Sequence, residues 1–592
     1  MTARRAASTR RPPAGRPGSS RSVGTAPQGP RLRASALLIA IALAGLGARL
    51  VWLQGVSATA YAAQAEKQRL RTTTVAATRG KILDRTGRVL AQDIGARAVY
   101  VDPKLVTNAA AEASALAPVV GASTARLAQA MIAPGRFVYL THGLTPAQGR
   151  TITAMRMPGV GVLPETRRTY PGGGLAANVV GFTNSDGVGS AGIERSQQNL
   201  LMGETGKQTV EVDPGGREIP GGLRRVLPAH PGRNVRLTVD SDIQWQAQQD
   251  IAAQVAATHS RSGNVIVLDA RTGQVLADAT APSFDAANPG IVSPSETGNR
   301  TISDNYEPGS VNKLIVAAAA LQTGALKPDD VLGIPATLRV ADATFHDAEA
   351  HGAERLTFTG VLAKSSNIGA IEIAQRLGNA RVNEFLKRFG FGIPTGIGLP
   401  GESAGVIPPV DSWRPTTAAT ISFGQGMDVT AMQVAAAYQA VANDGVYIAP
   451  RILAGIMDGS GRTLPAPVPA PRRVMDTATA RTLRTMIEQV TTDNGTAPEA
   501  RIPGYRVAGK TGTAEATGPN GRYDGGYVAS FVGMAPAEAP RVVVEVSLDH
   551  PTSGHFGGTV AAPVFRDVMG FALQTLRVAP SQTQAPVMRL LG

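Results

Sequence analysis

Cysteine is absent from all 592 residues, so disulfides, thiolate metal sites and a cysteine nucleophile are excluded, and either redox compartment is tolerated. Histidine is scarce too. The seven are scattered with no H-x-x-x-H pattern, so neither a metal site nor a cofactor is expected. Lysine numbers nine against 49 arginines, so a basic position is arginine by default and each lysine is worth locating. Acidic residues are missing from the first 33 positions, which hold eight arginines. Without those eight, 50 basic residues face 44 acidic ones, and the net charge of +14 shrinks to +6. The excess sits in a Pro/Gly/Ser/Arg-rich stretch that reads as disordered, and no nucleic-acid partner is expected.

The length predicts two or three domains. Ala34 to Leu53 is apolar apart from Ser35, Gly45, Gly47 and Arg49, about the length that crosses a bilayer, and Arg49 can snorkel beside Trp52. Arginines before it, with no comparable density after it, predict a cytoplasmic N-terminus and an exported remainder. The competing reading is a signal peptide cleaved at Ala58-Thr59-Ala60. A Pro/Gly segment near Pro228–Arg233 marks a boundary. Beyond it, Asn264–Asp269 and Gln274–Ala277 flank a short turn as a hairpin, and helical segments fill much of 305–500. Strands at 505–515, Tyr527–Ala535 and Arg541–Leu548 precede a helix from Val560 to Leu576. Strands segregated at the two ends of the domain predict an α+β plan with an antiparallel sheet.

The most informative stretch is Tyr306-Glu307-Pro308-Gly309-Ser310-Val311-Asn312-Lys313, followed by an Ala-rich apolar run closed by Gly324. Pro308-Gly309 breaks what precedes, so Ser310 falls at a helix N-terminus and Lys313 rises on the same face three residues on. This S-x-x-K spacing lets a lysine stripped of its proton activate the serine as an acyl-accepting nucleophile. Ser365-Ser366-Asn367 lies between two helical runs, on a loop, and Lys510-Thr511-Gly512-Thr513 lies on a predicted strand. Lys313 and Lys510 thus occupy positions where arginine, always protonated, would not serve equally, and Lys364 beside Ser365 is a third such case. Two further matches mislead. Gly504–Thr511 fits the phosphate-binding loop, but strand-like residues lie inside it and no helix follows. Gly401-Glu402-Ser403-Ala404-Gly405 fits the hydrolase elbow, but Val406-Ile407-Pro408-Pro409 cannot begin the helix that must follow. His346 and His351, near the S-x-N stretch, read as structural or rim residues.

S-x-x-K, S-x-N and K-T-G in this order are the signature of the penicillin-binding serine acyltransferases. Residues 75–575 resemble a class B penicillin-binding protein, a peptidoglycan D,D-transpeptidase, most like the septal cell-division type. Arg79 to Ala91 and Gly187 to Gly206 resemble the two boxes of its N-terminal module, where Arg, Asp and Glu form buried ion pairs and turns. The resemblance implies a cytoplasmic tail over 1–33, a transmembrane helix over 34–54 and a mostly β pedestal of the dimerisation type over 55–225. It further implies a penicillin-recognising transpeptidase domain over 226–578 and a flexible tail over 579–592. Ser310 would attack the penultimate D-Ala carbonyl, Lys313 take its proton, Ser365 relay a proton to the leaving D-Ala and Lys510 supply positive potential. Asn367 would hydrogen-bond the peptide or a β-lactam side chain. Thr511, Gly512 and Thr513 would form the substrate strand, with the two threonines on the terminal carboxylate and the N–H groups of Ser310 and Thr513 as oxyanion hole. Implied partners are stem peptides and β-lactams, with a polytopic membrane glycosyltransferase and other divisome proteins docking on the pedestal. An elongation-type transpeptidase and a non-catalytic divisome scaffold are the alternatives. Asn312 stands where many relatives have Phe, so packing behind the helix start is expected to differ.

Overall fold

The computed structural model describes residues 29–213, 218–293, 296–518 and 522–592, so most of the Arg-rich tail lies outside the described residues. Gly29–Val51 is one helix that continues through a π-helical turn, Trp52–Val56. An 18-residue stretch of these 28 reaches a mean hydropathy of 2.2, and no side chain of the helix is buried. At 1.5 Å per residue the 28 exceed the roughly 30 Å hydrocarbon core of a bilayer. Among the described residues this is the one helix long and apolar enough to cross a membrane. A second helix, Ala58–Arg69, leads into strand Leu70–Val75, which belongs to a three-stranded sheet with Gly206–Glu211 and Arg224–Leu227. By its contacts the chain divides into two compact units: residues up to Thr74 with Lys207–Leu227, and Val75–Gly206 with Pro228–Gly592.

In the second unit the long strand Val89–Val101 pairs antiparallel with Val138–Leu144 and Val160–Thr169. Helices Ala109–Val120, Thr124–Met131 and Pro146–Ala154 supply Leu116, Leu127, Met131 and Ile152 to a core around Val99 and Val101. Arg79, Asp84 and Glu194 of the two boxes are buried and paired. Arg79 and Arg168 each place Nε 2.6 Å from the Glu194 carboxylate, and Arg168 also reaches Asp93. Asp84 accepts from the N–H groups of Thr86 and Arg88, an Asx turn, while its second oxygen accepts from Ser241 Oγ at 2.7 Å. Arg88 pairs with Asp242, and Ile82–Leu83 pairs parallel to Val235–Arg236. Paired strands and an ion pair thus tie Val75–Gly206 of the pedestal to the catalytic segment within one unit, whereas pedestal residues up to Thr74 and from Lys207 fall in the other.

The catalytic segment is built on a five-stranded antiparallel sheet in the order Val275–Ala281, Ser262–Asp269, Val542–Asp549, Tyr523–Ala535, Ala508–Thr517. The middle strand, rich in valine, is buried on both faces, which fits a strand covered by helices from either side. Helices Ser241–Thr258 and Ala562–Thr575 cover one face, and the wholly buried, Ala-rich helix Ala431–Ala442 packs against the other. Ala508–Thr517, carrying the K-T-G residues, is an edge strand. The segment after Val578, expected to be flexible, is instead tied down. Ser581 N–H donates to Gly504 O, Thr357 Oγ1 to Arg589 O, and Gly592 N–H to Arg355 O. Hydrogen bonds to its backbone and to Ser581 and Thr583 do most of the holding, so no apolar periodicity announces it in the sequence.

Candidate active site

Glu307 anchors the Ser310 segment by accepting from Gly426 N–H at 2.7 Å and from Tyr523 OH at 3.1 Å, and burial pushes its carboxyl up to about 7. Gly309 turns the chain at φ +57°, and a 3-10 turn over Gly309–Asn312 runs into the helix Lys313–Gln322. Gly512 explains the glycine of K-T-G: a Cβ there would sit 2.2 Å from Ser530 Oγ and 3.1 Å from Val311 Cγ1. A Cβ on Gly309 would meet Ala514 Cβ at 3.1 Å. The Ser310 turn and the edge strand are packed that closely.

Lys313 is 1% exposed. Its Nζ lies 3.0 Å from Ser310 Oγ, 2.6 Å from Ser365 O and 2.7 Å from Asn367 Oδ1. Burial pushes its pKa down to about 7, and the Asp347 carboxylate opposes the shift. Lys510, also fully buried, places Nζ 2.8 Å from Ser365 Oγ and 3.2 Å from Thr511 Oγ1. Burial and the charge of Lys313 hold its pKa well below the ordinary lysine range. Ser365 thus sits between two buried amines, in the left-handed region at φ +61°, a conformation that costs a non-glycine residue about 1 kcal/mol and recurs at functional sites. Ser366 caps the helix Asn367–Leu377 by accepting from Gly369 N–H at 2.9 Å.

Ser310, Lys313, Ser365, Asn367 and Lys510 therefore form one hydrogen-bonded cluster, with Thr511 and Gly512 on its edge. Thr513 Oγ1 accepts from Gly557 N–H at 3.3 Å. Gly557 follows an aromatic rim in which His555 stacks on Tyr527 with centroids 4.5 Å apart and Phe556 is half exposed. This rim joins a residue of the strand Tyr523–Ala535 to the segment before Gly557 and carries no sequence signature. Other residues fall elsewhere. Lys364, grouped above with the motif lysines, points to Glu354 at 3.2 Å in a half-exposed ion pair. Ser403 is a loop serine whose Oγ accepts from Gly405 N–H. Asn312 donates Nδ2 to Ile421 O at 2.8 Å, while its Oδ1 is buried without a partner. Asp347, 20 residues before Asn367, accepts from that residue's N–H, a contact no motif foretells. Among the described residues no cluster of His, Asp and Glu could hold a metal ion.

Such a serine and amine on a helix start, against the edge strand of an antiparallel sheet flanked by helices, define a penicillin-recognising serine acyltransferase. Residues 263–570 match the penicillin-binding protein transpeptidase domain, and residues 74–237 match the penicillin-binding protein dimerisation domain. The chain belongs to the penicillin-binding proteins, in the class B arrangement of dimerisation module followed by transpeptidase domain. It is similar to penicillin-binding protein PbpB of Mycobacterium tuberculosis, 37% identical over 94% of this chain and 86% of that protein. It is similar also to the peptidoglycan D,D-transpeptidase FtsI of Escherichia coli K12, 35% identical over 92% of this chain and 91% of that protein. Its fold is similar to the crystal structure of penicillin-binding protein 3 from Mycobacterium tuberculosis complexed with aztreonam. That comparison has a TM-score of 0.69 and 34% identity over 88% of this chain and all of the other.

Proposed function

We propose that this protein is a membrane-anchored peptidoglycan D,D-transpeptidase of septal wall synthesis that cross-links stem peptides through an acyl-enzyme on Ser310 and is acylated there by β-lactams. The observation that carries the reading is the setting of Lys313. A neutral amine has two N–H donors and one lone pair. Ser365 O and Asn367 Oδ1, at 2.6 and 2.7 Å, take the donors and leave the lone pair for the Ser310 hydroxyl at 3.0 Å. A pKa near 7 keeps a large neutral fraction at physiological pH. Ser310 Oγ then bonds to the penultimate D-Ala carbonyl carbon as its proton passes to Lys313. The C–N bond to the terminal D-Ala breaks as that nitrogen takes a proton through Ser365. An acceptor amine from a second stem peptide attacks the ester and releases Ser310 with a new amide. The edge strand offers its free side to an extended peptide, as in strand addition, with Thr511 and Thr513 near the terminal carboxylate. The N–H groups of Ser310 and Thr513 serve as oxyanion hole. That carboxylate beside Lys510 would restore the positive charge that burial disfavours. The septal assignment rests on similarity to FtsI and PbpB, and a polytopic membrane glycosyltransferase and other divisome proteins are the partners it calls for.

A fluorescent penicillin should label residue 310 of the detergent-solubilised chain covalently, and Ser310→Ala should abolish labelling with thermal unfolding little changed. Labelling that survives Ser310→Ala, or a modified peptide containing Ser403, overturns the assignment.

A further inference from the structure

We propose that Asp347 is a positioning residue of this active site: it clamps Asn367 so that its amide oxygen faces Lys313, and its negative charge acts on Lys313 across that contact. The inference rests on Lys313 being the proton acceptor. Asp347 Oδ1 accepts from the N–H groups of Asn367 at 2.6 Å and Ile368 at 2.9 Å. With Ser366 Oγ taking Gly369 N–H, the first turn of the helix Asn367–Leu377 has its free donors filled from within the protein. That helix end is thus a clamp, not a ligand site. The neighbouring carbonyl completes it: Asn367 Nδ2 donates to His346 O at 3.1 Å. This bond fixes the amide orientation, because only Oδ1 is left to accept from Lys313 Nζ at 2.7 Å. The dipeptide His346-Asp347 therefore holds Asn367 by backbone and side chain at once.

The electrostatics run along the same path. Lys313 feels two charges, Asp347 beyond Asn367 and Lys510 beyond Ser365, and Asp347 favours the ammonium form. Asp347 in turn faces His351, whose Nε2 lies 3.2 Å from Oδ2. Beyond it are Glu354, 3.9 Å from His351 Nδ1, and Lys364, 3.2 Å from Glu354. The Asp347 side chain is 11% exposed, so its charge is only partly screened.

The test separates a clamp from a plain helix cap. Asp347→Asn keeps an oxygen for the two N–H groups and removes the charge. Asp347→Ala removes both. Second-order acylation constants for a β-lactam are measured from pH 5 to 9 on the detergent-solubilised full chain, with Ser310→Ala as control. Asp347→Asn should move the acid limb of the profile to lower pH by about half a unit or more, since Lys313 then loses its proton more readily. Asp347→Ala should lower the plateau about 10- to 100-fold, because Asn367 is released and the amine misplaced. If the Asp347→Asn profile lies on that of the wild type while Ser310→Ala abolishes labelling, the charge role falls and Asp347 is a cap only. If Asp347→Ala acylates as the wild type does, the positioning role falls as well. Labelling that persists in Ser310→Ala identifies the nucleophile reading as the failure instead.

Discussion

Two buried lysines meet at one serine hydroxyl, and charge repulsion decides that both cannot be ammonium ions at low cost. Lys313 and Lys510 are bridged by Ser365, and each has its pKa pushed down by burial, Lys510 further by its neighbour. With Lys313 as the proposed proton acceptor, acylation should rise with pH through about 7 as its ammonium form empties, and level off above. Arginine at 313 stays charged at any usable pH, so Lys313→Arg should lose about the 10²–10⁴ due to a positioned base. In the proposed mechanism Lys510 supplies potential to the substrate carboxylate and to Ser365, which a guanidinium would reproduce in part. Lys510→Arg should therefore keep measurable acylation, with the loss concentrated in binding of carboxylate-bearing ligands. Second-order acylation constants for the two variants decide between them. Lys313→Arg acylating as fast as Lys510→Arg means that the base lies elsewhere.

One row of the five-stranded sheet links the active site to the core. Lys510 opposes Val532, Val532 opposes Glu545, Glu545 opposes Ile266, and Ile266 opposes Asp278, so three ionisable side chains share one face of one row. Glu545 is fully buried, with one oxygen 3.5 Å from Tyr306 OH and the other without a partner. Burial pushes its carboxyl up to about 8, so the folded protein holds a proton that the unfolded chain releases near 4.3. Its contribution to stability is complete below about pH 4 and is lost as pH rises to about 8. Glu545→Gln, neutral and of the same shape, removes that loss. The variant should gain on the wild type from pH 5 to 8, by up to about 1.4 kcal/mol per pH unit in denaturant unfolding, and parallel profiles would sink the idea. Nothing in Val542-Val543-Val544-Glu545 signals this: the strand reads as β-branched and buried, and the partner of Glu545 lies 239 residues away. The same distinction runs through the site. Ser310 and Lys313 are legible because a three-residue spacing on one helix turn imposes their contact, and Ser365 and Asn367 because the S-x-N spacing falls on a loop between two helical runs. Asp347, Tyr523 and His555 reach the site from loops and strand ends, where only the tertiary fold sets the contact. All five strands of the catalytic sheet are legible as apolar runs between turns, whereas the packed segment 579–592 is not, since its anchors are backbone groups and isolated side chains such as Ser581 and Thr583.

At the scale of the whole chain, charge is distributed so as to orient the apolar helix. Gly29–Val56 is preceded or entered by eight arginines within the first 33 residues, with no acid among them. On its other side the nearest basic residues are Lys67, Arg69 and Arg71, accompanied by Glu66. Positive charge is retained on the cytoplasmic side during insertion, and eight arginines before or at the start of the helix face three basic residues in the fifteen positions after it. Cytoplasmic N-terminus and exported catalytic segment follow as the expected topology, which also puts Ser310 on the side where cell wall is built. Alkaline phosphatase fused after residue 60 should be active, and a fusion carrying the enzyme at the N-terminus should be inactive. Activity of the N-terminal fusion alone reverses the orientation. Cleavage is a separate question, because a secreted product would also export the phosphatase. N-terminal sequencing of the mature protein should find a start upstream of Ala34. A start at Tyr61, just after Ala58-Thr59-Ala60, makes the helix a signal peptide and the enzyme a secreted one. The length of the helix favours retention: 28 residues span about 42 Å, well beyond the 7–15 apolar residues of a signal peptide's central region.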